Sequence, residues 1–275
     1  MAKISMEDVS FSYEQDKKNN FVLKDISYSI LPGDSVLLLG PNGSGKTTLL
    51  KLIMGLLKPT KGKIRIDDVD TSKASVFEIS KKVSMIFQNP EKQFFAETVR
   101  EELSFGLKNR GVREEEIKKK VEEVAKKFGL FEYLDKSPFD LSGGEKRRLS
   151  IASIIILDPE VLIVDEPTAG LDFQYRNLMI SIIRGFLETR NKSLVVATHD
   201  IDFGLRIANK AAVINEGKLV WSGNVVSLLR EEEIFSKGIL AHTFTSSLIS
   251  RVISQSNVDF QKVVKVLEEL TEGLM

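Results

Sequence analysis

Apolar and polar residues alternate along the first thirty positions of the chain. The apolar and aromatic residues in this pattern are Ile4, Met6, Phe11, Tyr13, Ile26, Tyr28 and Ile30. A period of two residues predicts strands with one face on a core and the other in water. The polar stretch from Asp16 to Asn20 is predicted to be a loop between two such strands.

Further along the chain, three short runs are apolar at nearly every position. They are residues 35–39, 161–164 and 193–198. Continuous apolar runs of this length are typical of parallel strands that are covered on both faces. Shorter strands are predicted at Lys63–Ile66 and Lys82–Phe87. A hairpin is predicted where residues 211–214 and 218–221 flank Asn215-Glu216-Gly217.

The pattern becomes helical between Glu91 and Pro159. Glu114 to Phe128 has apolar residues at helical spacing, acidic residues at its start, and Gly129 at its end. This region reads as a helical subdomain, residues 91–159, inserted into the sheet. The residues from Val225 to Met275 also have a helical composition, so a small C-terminal extension is expected there.

Residues Gly40 to Thr48 match the pattern G-x-x-x-x-G-K-[ST] between a predicted strand and a predicted helix. In such a loop, glycines let backbone N–H groups turn toward a phosphate, the lysine reaches the β and γ oxygens, and the hydroxyl binds Mg²⁺. The predicted nucleotide-binding residues here are Asn42, Gly43, Ser44, Gly45, Lys46, Thr47 and Thr48. The fold is therefore predicted to be α/β, a P-loop NTPase core with a mostly parallel sheet and an N-terminal antiparallel sheet.

Polar residues follow three more of the predicted strands. Gln88 comes after Phe87, Asp165 and Glu166 come after Val164, and His199 comes after Thr198. Ligands of open parallel sheets bind at the carboxyl ends of the strands. We therefore expect these side chains and the glycine loop to converge on one nucleotide.

The segment Leu141-Ser142-Gly143-Gly144-Glu145 has two compatible interpretations. Ser142 and Glu145 have the spacing of a capping box, which predicts a helix start. Two glycines in that position also leave backbone N–H groups free at a positive helix end, which favours an anion site. Tyr13 has two interpretations as well, as an aromatic ring that stacks on adenine or as an ordinary strand tyrosine.

Composition narrows the functional classes. Hydrophobic residues make up 42% of the 275 residues, which is ample for a core. The 39 basic and 39 acidic residues cancel, so no net field favours nucleic acid or anionic lipid. The absence of cysteine excludes disulfides and predicts a reducing compartment. No apolar run has the length of a membrane span, so a membrane role would need a partner.

Together these motifs resemble the ATP-binding subunits of ABC transporters, over roughly Met1 to Gly223 of an ATPase domain predicted to end at residue 224. The resemblance rests on the glycine loop, Gln88, the signature at Leu141–Glu145, the run into Glu166, residues 169–172 and His199. It implies a head-to-tail dimer in which ATP lies between one subunit's loop and the other's Ser142, Gly143 and Gly144. It makes Tyr13 the adenine-stacking aromatic and Asp172 a contact across the dimer.

The resemblance also implies roles in hydrolysis. Thr47, Gln88 and Asp165 would surround Mg²⁺, with Lys46 at the β and γ phosphates. Glu166 would act as the general base on the attacking water, and His199 would contact the γ-phosphate. No inert residue replaces any of these positions, so we expect a competent ATPase.

A narrower resemblance covers Phe87–Phe95 and Thr98–Gly106. These residues are similar to the ATPases of energy-coupling-factor importers, which take up vitamins or transition-metal ions. That likeness implies a second ABC ATPase subunit, identical or different, and integral membrane subunits. It also implies a location at the cytoplasmic face of the membrane, and dimer contacts for residues 225–275.

Two other classes remain as hypotheses. A soluble ABC ATPase acting on nucleic acid or the ribosome would share the motifs, but the chain has no basic excess and no long heptad region. A P-loop kinase would leave the signature segment unexplained. Nothing in the sequence identifies a transported substrate.

Overall fold

The computed structural model describes residues 3–13, 21–87, 93–167, 173–189, 191–241, 243, 246–247 and 249. The statements that follow apply to these residues. The predicted loop at Asp16–Asn20, residues Gln88, Asp172 and 250–275 lie outside them.

An antiparallel sheet of four strands is formed mainly by the N-terminal part of the chain. Its strands are β1 (Ile4–Phe11), β2 (Leu23–Ile30), β4 (Lys61–Ile66) and β5 (Val69–Asp70), in the order β2-β1-β4-β5. In the register of the central strand β1, Ile4 is opposite Ile30 on one side and Ile66 on the other. This confirms the predicted N-terminal antiparallel sheet.

A second, six-stranded sheet forms the centre of the molecule. Its strands are β3 (Ser35–Leu39), β6 (Val83–Ile86), β7 (Val161–Asp165), β8 (Ser193–Ala197), β9 (Lys210–Asn215) and β10 (Lys218–Asn224), in the order β10-β9-β3-β8-β7-β6. The pairs from β9 to β6 are parallel, and the hairpin partner β10 runs antiparallel to β9. The α/β fold class with a mostly parallel sheet is therefore confirmed.

The central strands are apolar at most positions because both sheet faces are covered. Leu162 and Val164 of β7 belong to a core with the helices of residues 99–187, whereas Val161 and Ile163 belong to a core with the antiparallel sheet. All five residues of β3, β7 and β8 are buried. This two-sided burial explains why the hydrophobic pattern of these strands shows no alternation.

The helices follow the strands closely in the chain. They are α1 (Lys46–Ile53), α2 (Val76–Ser80), α3 (Val99–Asn109), α4 (Glu114–Lys127), α5 (Gly143–Ile155), α6 (Phe173–Leu187), α7 (Ile201–Leu205), α8 (Val225–Leu228) and α9 (Glu232–Ser236), with 3₁₀ turns at Phe131–Tyr133 and Pro138–Asp140. Helices α3 to α5 lie in the chain between β6 and β7, which are neighbours in the sheet. The subdomain limits at residues 91–159 and 224 stay predictions.

The structure adds four elements that the sequence pattern did not predict: strand β5 and helices α2, α6 and α7. Strand β5 has two residues and helix α2 has five, too few for either periodicity to be visible. None of the helices in the described ranges combines the length and apolar composition that crossing a bilayer requires.

Candidate functional site

The glycine loop joins β3 to α1 and places Lys46 inside it. The ammonium group of Lys46 donates hydrogen bonds to the carbonyls of Gly40 (2.8 Å) and Pro41 (3.1 Å), and the residue is only 6% exposed. Burial lowers the pKa of Lys46, while the charges of Glu166 and Asp165 act in the opposite direction. The loop thus holds a nearly buried cation that faces two carboxylates.

Two glycines of the loop have no room for a side chain. A Cβ on Gly40 would overlap the carbonyl of Ile214. Gly45 has a φ of 107°, and the side chain of Leu23 lies where its Cβ would be. The hydroxyl of Ser44 is buried and has no hydrogen-bond partner among the described residues. A close backbone turn with an unpaired donor is the local structure that a phosphate oxygen fits.

Thr47 and Asp165 meet beside this loop. The Thr47 hydroxyl donates to Oδ1 of Asp165 across 3.2 Å, which joins the start of α1 to the end of β7. Burial raises the pKa of Asp165, although the Thr47 hydroxyl opposes that shift. A hydroxyl and a carboxylate in contact are ligands that suit Mg²⁺.

Glu166 follows β7 in a left-handed backbone conformation, with a φ of 47°. Its amide N–H donates to the carbonyl of Ala197 (2.8 Å), which holds this strained residue against the end of β8. The carboxylate oxygen Oε2 accepts a hydrogen bond from the Thr198 hydroxyl (3.1 Å) and lies 3.0 Å from Nδ1 of His199. Thr198 is completely buried and was not singled out by the sequence analysis.

A cavity of about 530 Å³ opens over these groups. It is lined by Val22, Asn42, Gly43, Gly45, Lys46, Thr47, Thr48, Glu166 and His199. The carboxyl ends of β3, β7 and β8 therefore bring together the loop and the side chains that the sequence predicted at those ends. Gln88 and Asp172, also predicted for the site, lie outside the described residues.

Tyr13 lies beside the loop rather than in the lining of the cavity. Its hydroxyl is 3.1 Å from the Thr48 hydroxyl, and its ring stands edge-on to Phe11 with centroids 4.8 Å apart. The side chain is 59% exposed. A ring fixed at its hydroxyl and largely open to solvent has a surface available for another planar group.

Ser142, Gly143 and Gly144 begin α5 and do not line this cavity. Ser142 caps the helix with Glu145: its hydroxyl accepts from the Glu145 amide, and the Glu145 carboxylate accepts from the Ser142 amide. The predicted capping box is therefore present.

The site fits a magnesium nucleotide. Among the described residues, no three histidine or acidic side chains cluster as a metal site. A Mg²⁺ ion here would take Thr47 and Asp165 from the protein and its other ligands from phosphate and water, a pattern that is usual for this ion. Fold and site thus define a P-loop nucleotide-binding protein.

Comparison with known families identifies the class more narrowly. The family model described as "ABC transporter" matches residues 23–169, more than half of the chain. The chain belongs to the ABC transporter family, and it is an ATPase.

Curated relatives carry a more specific description. The energy-coupling factor transporter ATP-binding protein EcfA2 of Caldanaerobacter subterraneus subsp. tengcongensis is 39% identical over 277 residues, which cover 99% of this chain and 96% of that protein. EcfA1 of Mycoplasma mobile is 39% identical over 231 residues, covering 84% and 83%. The resemblance to energy-coupling-factor ATPases is thereby confirmed.

Two solved structures of ABC proteins are similar to this chain. CbiO1 of Clostridium perfringens, described as part of the ABC transporter complex cbiONQ, superposes with a TM-score of 0.74 at 32% identity and covers 86% of this chain and 94% of its own. The ATP-binding cassette MJ0796, a dimer with ADP and phosphate, has a TM-score of 0.71 at 26% identity, covering 81% and 98%.

Proposed function

We propose that this chain binds and hydrolyses ATP to energise a membrane importer of the energy-coupling-factor type, for a vitamin or a transition-metal ion. The names of EcfA1 and EcfA2 and the description of CbiO1 support this proposal. The observation that carries it is a groove formed by α2, α3, α5, Phe87 and residues 93–95.

The groove is aromatic and partly open. It has a volume of about 300 Å³, and its lining includes Phe77, Phe87, Phe95, Glu102, Phe105 and Arg110. Phe77, Phe95 and Phe105 are each about half exposed. The rings of Phe95 and Phe105 meet edge to face with centroids 4.4 Å apart. Exposed aromatic residues that line a concavity are typical of a protein interface.

A short amphipathic helix from a membrane subunit fits such a groove, since its apolar side chains would cover the three phenylalanines. The groove is also lined by Phe87, which directly precedes Gln88 in the chain. Movement of a membrane subunit would thus reach a residue that we assign to the nucleotide site.

In the proposed site, Thr47, Asp165 and Gln88 hold Mg²⁺, and Lys46 binds the β and γ oxygens of ATP. The ion neutralises charge on the phosphates, which is the main need of phosphoryl transfer. Tyr13 stacks on the adenine, and Asn42 to Thr48 surround the phosphates. In the dimer, the partner copy's signature segment and the residue equivalent to Asp172 complete the site.

Glu166 accepts a proton from the attacking water, and His199 contacts the γ-phosphate. The contacts of Glu166 with Thr198 and His199 favour this assignment, because they fix the carboxylate in one place beside the cavity. The second ATPase subunit is another copy or a similar chain. The assembly would lie at the cytoplasmic face of the membrane, without a nucleic-acid partner.

The proposal is tested by purifying tagged full-length protein from detergent-solubilised membranes of its source cell. We expect a polytopic membrane protein and an ABC ATPase to co-purify, together with a small membrane chain whose bound ligand names the cargo. Recovery only from the soluble fraction, with ribosomes or nucleic acid, would contradict the importer.

The groove itself is tested by Phe95→Asp, which places a charge beside the ring of Phe105. We expect the membrane protein to be lost from the purification while ATP binding stays within about twofold of normal. Val220→Asp is the matched control, since Val220 is exposed on β10 and does not line the groove. Equal recovery of the membrane protein with both variants would exclude the groove as the contact.

A further inference from the structure

The first turn of α6 carries an ion pair that the nucleotide site does not include. Arg176 donates from Nη2 to Oδ1 of Asp200 across 2.8 Å, and the Asp200 side chain is 18% exposed. Among the described residues, this carboxylate is the acceptor that the structure gives Arg176. Removing the cation would leave a mostly buried carboxylate without its charge partner, which is costly.

Asp200 is connected to the proposed general base, Glu166, through the hydroxyl of Thr198. The amide N–H of Asp200 donates to the Thr198 hydroxyl (3.1 Å), and that hydroxyl donates its hydrogen to Oε2 of Glu166 (3.1 Å). His199, which lies between Thr198 and Asp200 in the chain, also contacts Glu166. Asp200 therefore contacts the Thr198 hydroxyl that holds the Glu166 carboxylate, and its backbone is joined directly to His199.

The neighbouring residue of the same turn touches the signature segment. The hydroxyl of Tyr175 fills the place that a Cβ on Gly144 would take. A movement of Gly144 toward α6 would consequently push Tyr175, and the backbone joins Tyr175 directly to Arg176. Adjacent residues of one helical turn thus contact the signature and the residues around Glu166.

We propose that Arg176 is a positioning residue for ATP hydrolysis and that the first turn of α6 couples the signature segment to the Glu166–His199 pair. This inference rests on the roles assigned to Glu166 and Ser142–Gly144 under the proposed function. In a head-to-tail dimer, the signature of each chain lies at one nucleotide and its Glu166 at the other. The turn at Tyr175 and Arg176 would then transmit the closure of one nucleotide site to the other.

The test uses the full-length chain carrying Arg176→Gln, which keeps a polar side chain but loses the charge. We expect kcat for ATP to fall about tenfold while KM changes by less than about twofold, because the ion pair positions Glu166 and does not touch ATP. Arg184→Gln is the matched control: Arg184 lies on the same helix and donates to the carbonyl of Arg206, away from the site. We expect it to keep kcat within about twofold.

Coupling is tested by a double-mutant cycle with Tyr175→Ala. Both single variants should lower kcat, and the double variant should be no slower than the slower single variant, since both act through one turn. Effects that multiply would overturn the coupling, and an equal loss with Arg184→Gln would overturn the positioning role. Glu166→Gln distinguishes a failure of this inference from a failure of the proposed function. Normal turnover with that variant would contradict the assignment of Glu166 as the general base.

Discussion

At the scale of single residues, Lys46 is held by the loop in a position to bind an anion. Its ammonium group is satisfied by the Gly40 and Pro41 carbonyls, although burial lowers its pKa. Loop carbonyls are weak partners for a buried cation compared with phosphate oxygens. Binding of a phosphate would therefore favour the charged lysine and release these two carbonyls.

Glu166 gives the sharpest residue-scale prediction. Glu166→Gln keeps the size of the side chain but removes the proton acceptor, so we expect ATP to bind and to be hydrolysed at least about tenfold more slowly. The measurement is single-turnover hydrolysis beside equilibrium nucleotide binding. Glu132→Gln, at an exposed turn, should leave both unchanged. Near-normal turnover by the Glu166 variant would exclude Glu166 as the base.

How much of the site the sequence predicted depends on the distance between contacting residues. The glycine loop is local, so its spacing alone located Lys46 and Thr47 at the cavity. Thr198 and Arg176 act through contacts with Glu166 and Asp200, which are 32 and 24 positions away in the chain. No local pattern reports such contacts. The one available signal for Thr198 was its place directly before His199 at a strand end.

At the scale of elements, three helices end at one guanidinium group. Arg110 follows α3, and it donates to the carbonyl of Ser80 at the end of α2 (2.5 Å) and to that of Leu157 just after α5 (2.6 Å). The last carbonyls of a helix lack partners inside it and carry partial negative charge. Arg110 thus holds these helix ends together along the aromatic groove.

We expect Arg110→Ala to lower the free energy of unfolding by about 2 kcal/mol, because two partly buried carbonyls lose a charged donor. Urea unfolding at neutral pH measures this loss as a lower midpoint. Arg113→Ala, three residues further and exposed, is the control and should change the free energy by less than about 0.5 kcal/mol. Equal midpoints for the two variants would show that the helix ends do not depend on Arg110.

The elements themselves differ in how well their sequences predict them. Strands β3, β7 and β8 were predictable because two-sided burial leaves polar residues only at their ends. Helix α4 was predictable because Ile117, Val121 and Ala125 form one buried stripe. Helix α2 is a single turn, stabilised by the capping box of Ser75 and Glu78. The spacing of Ser75 and Glu78 is a start signal that can be read from the sequence. The five-residue helix that follows is too short to show a helical period.

At the scale of the whole molecule, a charged cluster ties the two sheets together. Lys3 lies just before β1, Asp67 in the turn from β4 to β5, Lys82 just before β6, and Glu160 just before β7. Lys3 contacts both carboxylates, and Lys82 contacts Asp67. Backbone bonds from Asp67 to Lys3 and from Glu160 to Lys82 run beside them. The antiparallel sheet is thereby fixed to the opposite end of β7 from the nucleotide cavity.

This cluster predicts an acid-dependent part of the stability. Burial would raise the pKa of Asp67, but hydrogen bonds from Lys82 and Lys3 outweigh it and lower the pKa. A carboxylate with a lowered pKa stabilises the fold above its unfolded pKa, about 3.9, and this contribution is lost as the pH falls through the lower, folded value. The cluster therefore stabilises the junction at neutral pH and loses that effect in acid.

We expect Asp67→Asn to lower the free energy of unfolding by about 1 kcal/mol at pH 7, with the difference from the unchanged protein shrinking as the pH falls from about 4 to about 2. Urea midpoints across that range measure the difference, and Asp68→Asn, at the adjacent exposed position, is the control. A deficit that stays constant with pH would mean that Asp67 acts through packing in the β4–β5 turn. A deficit that disappears in acid would show that this ionic contact stabilises the junction of the two sheets.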